Sequence, residues 1–395
     1  MPRLKFLGLL TITTAFLLLL LSLNQRPISV YSKNQQLYSE SIKENYVTSE
    51  QNYLASIKDV IKLQNVYIEH ETAEYPFVNK TTLKNYTIST QGRPVRNIII
   101  TTWRSGSTFL GDIINSVPGN FYHYEPLLNY GIVQIRGPPY GDSAVKSIKR
   151  LLKCDYNNLN NYLDYGKSHS YLFIHNTRLW EICELYPMYC WDPTFLSQFC
   201  KLFPFQSMKI VRLRLRLAEQ LLRDKTLNVR ILLLVRDPRG TLQSRKHRHW
   251  CPGAPDCEQA NILCADMISD YKAAVILKKK FPSRFRVIRY EDLSIDPYKH
   301  VEELFQFFQL YFHPFVKAFL DSHTKLNSGG VSSTFRNSKS APFHWRTDLN
   351  FSEVQYIEEN CDQAMKLWGY VKAFNESNLK EFNPVTLYTI GSEFN

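Results

Sequence analysis

Residues 96–115 read RNIIITTWRSGSTFLGDIIN, and this stretch decides how the chain folds. Residues 97–102 form a short β-branched run, the composition of a buried parallel strand. A small-residue loop at 103–108 ends the run, and apolar residues with helical spacing follow from Phe109. A strand, a tight loop and a helix in this order direct free backbone N–H groups and a helix dipole at one point. The stretch therefore predicts an anion site, where Arg104 adds a forked cation.

The loop differs from the Walker pattern G-x-x-x-x-G-K-[ST] of ATP and GTP sites. Its first glycine and its lysine are both missing, although Ser105, Ser107 and Thr108 supply hydroxyl donors. A standard nucleotide triphosphate site is therefore not expected. Taken alone, the stretch could also be a plain strand–turn–helix connection.

The composition allows a large packed core and favours anionic partners. The chain has 395 residues, of which 44% are apolar and 14% aromatic, and its net charge is +12. That charge suits nucleotides, nucleic acid, acidic glycans or membrane headgroups without choosing among them.

The amino-terminal segment is predicted to anchor the chain in a membrane. Residues 6–23 are almost purely apolar and follow Arg3 and Lys5. This length can span a bilayer, and the preceding positive charges favour a cytoplasmic amino terminus. A cleaved signal peptide is the alternative, but no A-x-A-like cleavage site follows the segment. We predict a cytoplasmic tail at 1–5, an uncleaved signal anchor at 6–23 and a lumenal remainder.

Sequons and cysteines agree with a lumenal location. N-x-[ST] glycosylation sequons begin at Asn79, Asn85, Asn350 and Asn375. The cysteines all lie beyond the anchor, in the compartment where disulfides persist; they are Cys154, Cys183, Cys190, Cys200, Cys251, Cys257, Cys264 and Cys361. Cys183 with Cys190 and Cys251 with Cys257 would close short loops, but the sequence leaves the connectivity open.

No metal site is predicted. His247, His249 and Cys251 resemble a ligand cluster, but a basic helix face that runs into a disulfide loop is the preferred interpretation. C-x-x-C spacings do not occur.

Residues 24–92 are polar, lack cysteine and are predicted to form a lumenal stem. Apolar residues recur there every seven positions, at Val47, Leu54, Ile61 and Ile68, but the positions between them are mostly polar. A single solvated helix is therefore favoured over a coiled coil, and a homodimer through the stem is the alternative.

Strands and helices alternate in the remainder of the chain. The expected strands include a short one that turns at Pro126, a candidate at 171–174, one at 208–211 and the strongest at 229–235. Residues 183–200 are expected to form an irregular insert. The alternation predicts an α/β fold with a central parallel sheet and helices on both faces.

A second basic loop follows the strongest strand. Residues 233–245 read LLVRDPRGTLQSR and mark another strand-to-helix transition. Ligands of open parallel sheets bind beyond the carboxyl ends of the strands, so both basic loops should face the same edge. Alternatively, Arg236 and Asp237 simply pair across the turn.

Together the two loops resemble the phosphosulfate-binding motifs of Golgi carbohydrate sulfotransferases. The nearest group is that of the galactose, N-acetylglucosamine and N-acetylgalactosamine 6-O-sulfotransferases. WRSGST at 103–108 is similar to their 5'-phosphosulfate loop, with arginine in place of the lysine usual in cytosolic sulfotransferases. VRDPR at 235–239, with Ser244, is similar to their 3'-phosphate motif. The resemblance covers about residues 96–371.

The resemblance implies a P-loop-like sulfotransferase fold at 93–373, followed by a carboxyl-terminal tail at 374–395. It also implies sulfuryl transfer from 3'-phosphoadenosine 5'-phosphosulfate (PAPS) to a sugar hydroxyl, the 6-hydroxyl of Gal, GlcNAc or GalNAc. The enzyme would be a single-pass type II protein of the Golgi membrane, acting on a glycan or glycosaminoglycan without a metal or nucleic acid. The residues implied to bind the donor are Arg104, Ser105, Gly106, Ser107, Thr108, Phe109, Arg236 and Ser244.

Arg104 and Glu125 are the predicted catalytic residues. Arg104 would stabilise charge on the departing phosphate, and Glu125, which matches the family's Glu-Pro-Leu segment, would take the proton of the sugar hydroxyl. His123 would be the substitute base, because an extended segment projects both side chains to one face. Alternatively, Glu125 pairs with Arg104 or binds a sugar hydroxyl. Lys209 and Arg212 would steady the sulfonate or an acidic glycan, or else form an ordinary strand edge.

Other functional classes fit the sequence less well. A kinase or NTPase would need the Walker lysine, and a lumenal glycosyltransferase commonly has a D-x-D motif, which is absent. A non-catalytic lectin would have no use for two anion-binding loops at strand ends.

Overall fold

The computed structural model describes residues 55–78, 81–329 and 333–391. The predicted anchor at 6–23 lies outside these ranges, as does the sequon at Asn79. Among the described residues, none of the helices combines the length and hydropathy needed to cross a membrane.

A five-stranded parallel sheet forms the centre of the fold, in the spatial order β2-β3-β1-β4-β5. All its strands end at the same edge, which places the loops that follow β1 and β4 side by side. The strands are β1 Val95–Ile100, β2 Asn120–Tyr124, β3 Phe205–Ile210, β4 Val229–Val235 and β5 Phe285–Arg289.

Helices connect the strands and cover the sheet. In chain order they are α1 Ile57–Glu71, α2 Ser107–Asn115, α3 Gly141–Leu152, α4 Asn160–Ser168, α5 Tyr171–Ile174, α6 Thr177–Leu185, α7 Pro193–Cys200, α8 Leu215–Arg223, α9 Pro238–Lys246, α10 Pro255–Glu258, α11 Ala260–Lys280, α12 Tyr290–Ile295, α13 Pro297–Phe308, α14 Pro314–His323, α15 Trp345–Asp348 and α16 Phe351–Trp368. Short 3₁₀ turns lie at Leu83–Asn85, Ile88–Thr90, Leu128–Tyr130 and Ala341–Phe343.

The apolar strands are buried on both faces, as the sequence predicts. Along β1, Ile98 and Ile100 join a core that α3, α8, α11 and α16 complete, whereas Ile99 joins a second core with α2, α13 and α14. Successive side chains of a strand point to opposite faces, so an unbroken apolar run serves two cores at once. The predicted parallel sheet with helices on both faces is confirmed.

The described part of the predicted stem is packed against the domain. Val60, Gln64 and Ile68, spaced by four residues, form a buried stripe along α1. Glu71 at the end of α1 pairs with the buried Arg178. The expectation of a fully solvated helix is therefore wrong for α1, because its apolar stripe faces the protein.

Two local predictions between β2 and β3 are wrong. Residues 171–174 form helix α5 rather than a strand, because the Phe173 and Ile174 amides donate to the Ser170 carbonyl instead of to a neighbouring strand. The segment 183–200 is largely helical rather than irregular, with Asp192 capping α7 ahead of Pro193.

All eight cysteines form disulfides. Cys183–Cys190 and Cys251–Cys257 close the short loops considered from the sequence. Cys154–Cys200 ties the end of α7 to the turn two residues beyond α3, and Cys264–Cys361 joins α11 to α16. The connectivity links the helices around the sheet to one another.

Candidate active site

The loop between β1 and α2 turns sharply at two residues with left-handed backbone. Arg104 has φ of 67° and Gly106, the N-cap of α2, has φ of 83°. A Cβ on Gly106 would lie 2.2 Å from the ring of Tyr290. Glycine is thus required here both by the backbone conformation and by the close approach of this ring.

Ser105 holds this loop together from inside. Its side chain is fully buried, and its hydroxyl donates to the Thr102 carbonyl at 2.9 Å and accepts from Thr101 Oγ1 at 2.6 Å. The hydroxyl predicted to contact the donor therefore serves the conformation of the loop.

The second loop divides its charged residues between the core and the open edge. Asp237 caps α9, and Arg239 makes buried ion pairs with Asp237 at 2.7 Å and Glu358 at 2.6 Å. Asp237 thus pairs with Arg239. The alternative prediction, that Asp237 pairs with Arg236 across the turn, is wrong. Arg236 and Ser244 face the cleft at the sheet edge.

The two loops are joined directly. Arg104 Nε donates to Ser244 Oγ at 3.0 Å, and Arg236 Nη1 donates to the Arg104 carbonyl oxygen at 2.7 Å. The Arg236 guanidinium lies 5.0 Å from the centroid of the Tyr290 ring. Burial, followed by the nearby guanidinium groups of Arg248 and Arg236, lowers the pKa of Arg104 to about 10, so Arg104 stays charged at neutral pH.

Arg245, the last residue of the second motif, supports the site, although no role was predicted for it. It is buried, and it donates to Thr102 Oγ1 at 2.7 Å, the Trp103 carbonyl at 3.2 Å and the Cys257 carbonyl at 2.8 Å. The residue next to Ser244 in the second motif therefore fixes the backbone of the first. Its position directly after Ser244 was the available signal.

Glu125 lies between two buried cations beyond the end of β2. Its carboxylate accepts from Lys209 Nζ and Arg212 Nη1, each at 2.9 Å. Burial alone would raise the pKa of Glu125, but Lys209 and Arg212 outweigh it and lower the pKa to about 2. Lys209 Nζ also lies 3.3 Å from Thr108 Oγ1, which connects this cluster to the first loop.

His123 does not face the cleft, and the prediction that it shares a face with Glu125 is wrong. The strand ends at Tyr124, and Glu125 has φ of 41°, so the alternation of side chains stops between the two residues. His123 is buried edge-on against Phe121, with 4.9 Å between ring centroids. Burial, with Arg96 nearby, lowers the pKa of His123 to about 3.

These groups converge on one cleft with a volume of about 1050 Å³. The predicted residues that line it are Arg104, Gly106, Ser107, Thr108, Phe109, Glu125, Arg236 and Ser244, together with Lys209 and Arg212. The described parts of the chain contain no group of three or more His, Cys, Asp or Glu side chains arranged to hold a metal ion.

Comparison with known families agrees with this geometry. The profile of the family described as "Sulfotransferase domain" matches residues 94–369, which span both loops and the whole sheet. The chain belongs to this sulfotransferase family.

Curated relatives of this sulfotransferase confirm the resemblance drawn from the two loops. Mouse carbohydrate sulfotransferase 5 is 27% identical, over 74% of this chain and 85% of its own length. Human carbohydrate sulfotransferase 6 is 26% identical, over 71% of this chain and 82% of its own length. Carbohydrate sulfotransferase 3 of Tetronarce californica is 27% identical, over 69% of this chain and 72% of its own length.

Solved structures similar to this sulfotransferase include the sulfotransferase domain of the Synechococcus PCC 7002 olefin synthase. It has a TM-score of 0.38 and 15% identity, over 69% of this chain and 93% of its own. Mouse sulfotransferase SULT7A1 complexed with PAP has a TM-score of 0.37 and 12% identity, over 76% of this chain and 92% of its own.

The cleft of this sulfotransferase suits a polyanionic donor. Buried or half-buried cations from both loops surround it, and the amino terminus of the nine-residue α2 points to the same place. Several lining residues lie outside the two basic loops and were not predicted as site residues; they are Tyr165, Tyr171, Arg248, Tyr290, Asn327, Arg336 and Asp348.

Proposed function

We propose that this protein transfers the sulfuryl group of PAPS to a hydroxyl of a sugar. Family membership and the carbohydrate sulfotransferase relatives support the class of reaction. The observation that carries the proposal is the junction of Arg104, Ser244 and Arg236 beside the ionised Glu125 in one cleft. Two anion-binding loops beside a carboxylate suit a donor with phosphates at both ends and an acceptor with a proton to lose.

The first loop would hold the 5' end of the donor. Arg104 and the backbone amides at the start of α2 would stabilise the negative charge that grows on the departing phosphate. The donor would supply the sulfuryl group and this leaving group. Thr108 and Lys209 would complete this side of the site, since their polar atoms are 3.3 Å apart.

The second loop would bind the 3'-phosphate. Arg236 is held by the Arg104 carbonyl and the Tyr290 ring, so its guanidinium is already oriented. Ser244 supplies a hydroxyl next to it. The 3'-phosphate is the group that distinguishes PAPS from ATP, so this loop would account for donor selectivity.

Glu125 would accept the proton of the sugar hydroxyl. A carboxylate with a pKa of about 2 is fully ionised but has a low affinity for protons. Its ion pairs with Lys209 and Arg212 also favour a second role, in which Glu125 holds these two cations in place for the sulfonate. The two roles differ in their effect on the pH dependence of the rate.

The acceptor would be the 6-hydroxyl of Gal, GlcNAc or GalNAc in a glycan or glycosaminoglycan, as the resemblance of the two loops to the 6-O-sulfotransferases implies. The enzyme would act in the Golgi lumen, held by the anchor at 6–23 and joined to it by a stem that ends before the packed helix α1. The disulfides formed by all eight cysteines support an oxidising compartment.

The direct test is transfer of labelled sulfate from PAPS to a panel of keratan, chondroitin and N-acetylglucosamine-terminated acceptors. We expect label on at least one acceptor, at the 6-position, and no phosphoryl transfer from ATP. A protein that binds neither PAPS nor 3',5'-adenosine bisphosphate would contradict the proposal.

A further inference from the structure

Two tyrosines line the cleft outside both donor-binding motifs. Tyr165 on α4 and Tyr171 on α5 lie with their hydroxyl oxygens 3.1 Å apart. Tyr171 is 41% exposed, although most aromatic rings of this insert are buried in the core. Such an aromatic surface at the mouth of a polar cleft indicates a binding surface for part of a substrate.

The pair lies on the Glu125 side of the cleft. Helix α4 packs against the turn Leu128–Tyr130, which follows Glu125 closely in the chain. Arg212, one of the two cations that bind Glu125, also donates to the Gly131 carbonyl at 2.6 Å. Tyr171, Arg212 and Glu125 line the same cleft.

The surrounding structure holds the tyrosine pair firmly. His169 stacks parallel to the Tyr165 ring, with 4.0 Å between centroids. His175, at the end of α5, stacks on Tyr124 at 3.8 Å, directly before Glu125 in the chain, and its carbonyl accepts from Asn115. The position of the pair relative to Glu125 is therefore fixed before any ligand binds.

Tyr171 is uncharged at neutral pH. Burial, then the hydrogen bond with Tyr165, raises the pKa of the Tyr171 phenol above its ordinary value. A neutral aromatic surface selects for polarised C–H groups, since the ring face carries partial negative charge. Pyranose rings present such C–H groups on one face while their hydroxyls point outward.

We propose that Tyr165 and Tyr171 form the acceptor subsite, which binds the apolar C–H face of a neutral pyranose and directs its hydroxyl towards Glu125. This inference rests on the proposed sugar sulfotransferase function and deepens it. The charged donor groups would be bound by the two loops, and the neutral sugar ring by the tyrosines.

The test compares variants of Tyr171 in full-length enzyme with PAPS and the acceptor labelled best by the wild type. We expect Tyr171→Ala to raise KM for the glycan about tenfold, as for a lost aromatic contact, with the affinity for adenosine bisphosphate unchanged. Tyr171→Phe, which keeps the ring, should stay within about twofold of wild type. Tyr356→Ala is the matched control, because Tyr356 is 58% exposed on α16, away from the cleft.

Tyr165→Leu and Tyr171→Leu guard against a folding defect, since leucine keeps much of the volume without the ring. An unchanged KM in both leucine variants, with unchanged affinity for adenosine bisphosphate, would overturn the subsite. The rise in KM should be the same at low and high salt; a rise that disappears at high salt would mean that the site binds an acidic group, which also overturns it.

Failure of the proposed function would give a different result. A wild-type enzyme that labels no sugar leaves the subsite open to a binding test, in which saturation-transfer NMR is recorded with an N-acetylglucosamine-terminated glycan of the panel and adenosine bisphosphate. Signals from the sugar C–H face that persist in Tyr356→Ala but vanish in Tyr171→Leu would support the subsite, and signals that persist in Tyr171→Leu would overturn it.

Discussion

Glu125 is the residue whose surroundings most limit what it can do. Two cations within 2.9 Å keep it ionised, and they also reduce its affinity for the proton it is proposed to accept. Any contact that draws Lys209 away from the carboxylate would raise the pKa of Glu125. Its basicity thus depends on Lys209, which the close approach to Thr108 links to the donor loop.

We expect Glu125→Gln to lower kcat by about 10²–10⁴-fold with little change in donor affinity. A base also gives the wild type an acidic limb in its pH–rate profile, and Lys209→Met should move that limb to higher pH. Unfolding in urea provides the control, because the glutamine variant leaves two buried cations without their counter-charge. If Glu125→Gln keeps kcat within a few-fold of wild type, Glu125 is not the base.

Removing either of two arginines in the second motif should affect a different property, ligand affinity for Arg236 and stability for Arg239. Arg236→Ala removes a cleft-facing cation and should weaken binding of adenosine bisphosphate by about 1.5–3 kcal/mol. Arg239→Ala leaves Asp237 and Glu358 without their buried partner and should lower the free energy of unfolding by about 3–5 kcal/mol. Calorimetric titration and urea unfolding of both variants separate the effects. Unchanged affinity in Arg236→Ala would show that the second motif is misassigned.

The sequence predicts the motif residues of the site better than it predicts their partners. Arg104 and Arg236 could be placed because each lies in the loop after a strand, and parallel strands end at one edge. The pairing of Glu125 with Lys209 depends on the register of β2 against β3, which sets Tyr124 opposite Lys209. That register joins residues 84 positions apart, and no local pattern encodes it.

At the scale of elements, the loop between β1 and α2 shows what one glycine contributes. Gly106 and Gly253 have nearly the same φ, 83° and 82°, but a Cβ on Gly253 would meet no atom within 4 Å. Replacement by alanine imposes backbone strain at both positions, and only at Gly106 does it displace the Tyr290 ring that supports Arg236.

We therefore expect Gly253→Ala to destabilise the fold by about 1–2 kcal/mol through backbone strain, and Gly106→Ala by more, because its Cβ also displaces the Tyr290 ring. Only Gly106→Ala should also weaken binding of adenosine bisphosphate. Urea unfolding and calorimetric titration of the two variants measure both quantities. Equal donor affinities in the two variants would show that the contact with Tyr290 has no part in donor binding.

Element prediction succeeds where one periodicity dominates. The bounds of β4 match the predicted 229–235, because seven buried residues follow each other without interruption. The segment 171–174 is also apolar, but four residues satisfy a strand and a single helical turn equally well. Its helical form shows in its hydrogen bonds, since the amides of residues 172–174 donate to the His169 and Ser170 carbonyls. The misjudged segment carries Tyr171, one of the two tyrosines proposed to bind the acceptor.

At the scale of the whole molecule, the buried His123 makes stability depend on pH. Its pKa is about 3 in the folded protein against an ordinary value of 6.5, so the unfolded chain binds more protons between these values. Stability is therefore fully present above pH 6.5 and falls as the pH drops towards 3, by about 1.4 kcal/mol per pH unit for one such group.

His123→Phe should flatten this slope between pH 6 and pH 4 by about the same amount, whatever its effect at pH 8. Urea unfolding at several pH values measures the slope directly. An unchanged slope would mean that another group accounts for the acid sensitivity.

The proposed membrane topology, with a lumenal domain, can be tested directly. Asn85 and Asn350 are exposed and Asn375 is half-buried, so the described sequons are accessible to glycosylation. A lumenal domain requires that added protease spare everything beyond the anchor in intact Golgi vesicles and degrade it once detergent opens them. Glycosidase should lower the apparent mass, and Asn350→Gln should remove one glycan's share of that shift. Alkylation of the denatured, unreduced protein should label no cysteine, because all eight are paired. Protease digestion in intact vesicles would place the domain in the cytosol, and a secreted product that begins near Asn24 would show that residues 6–23 are a cleaved signal peptide.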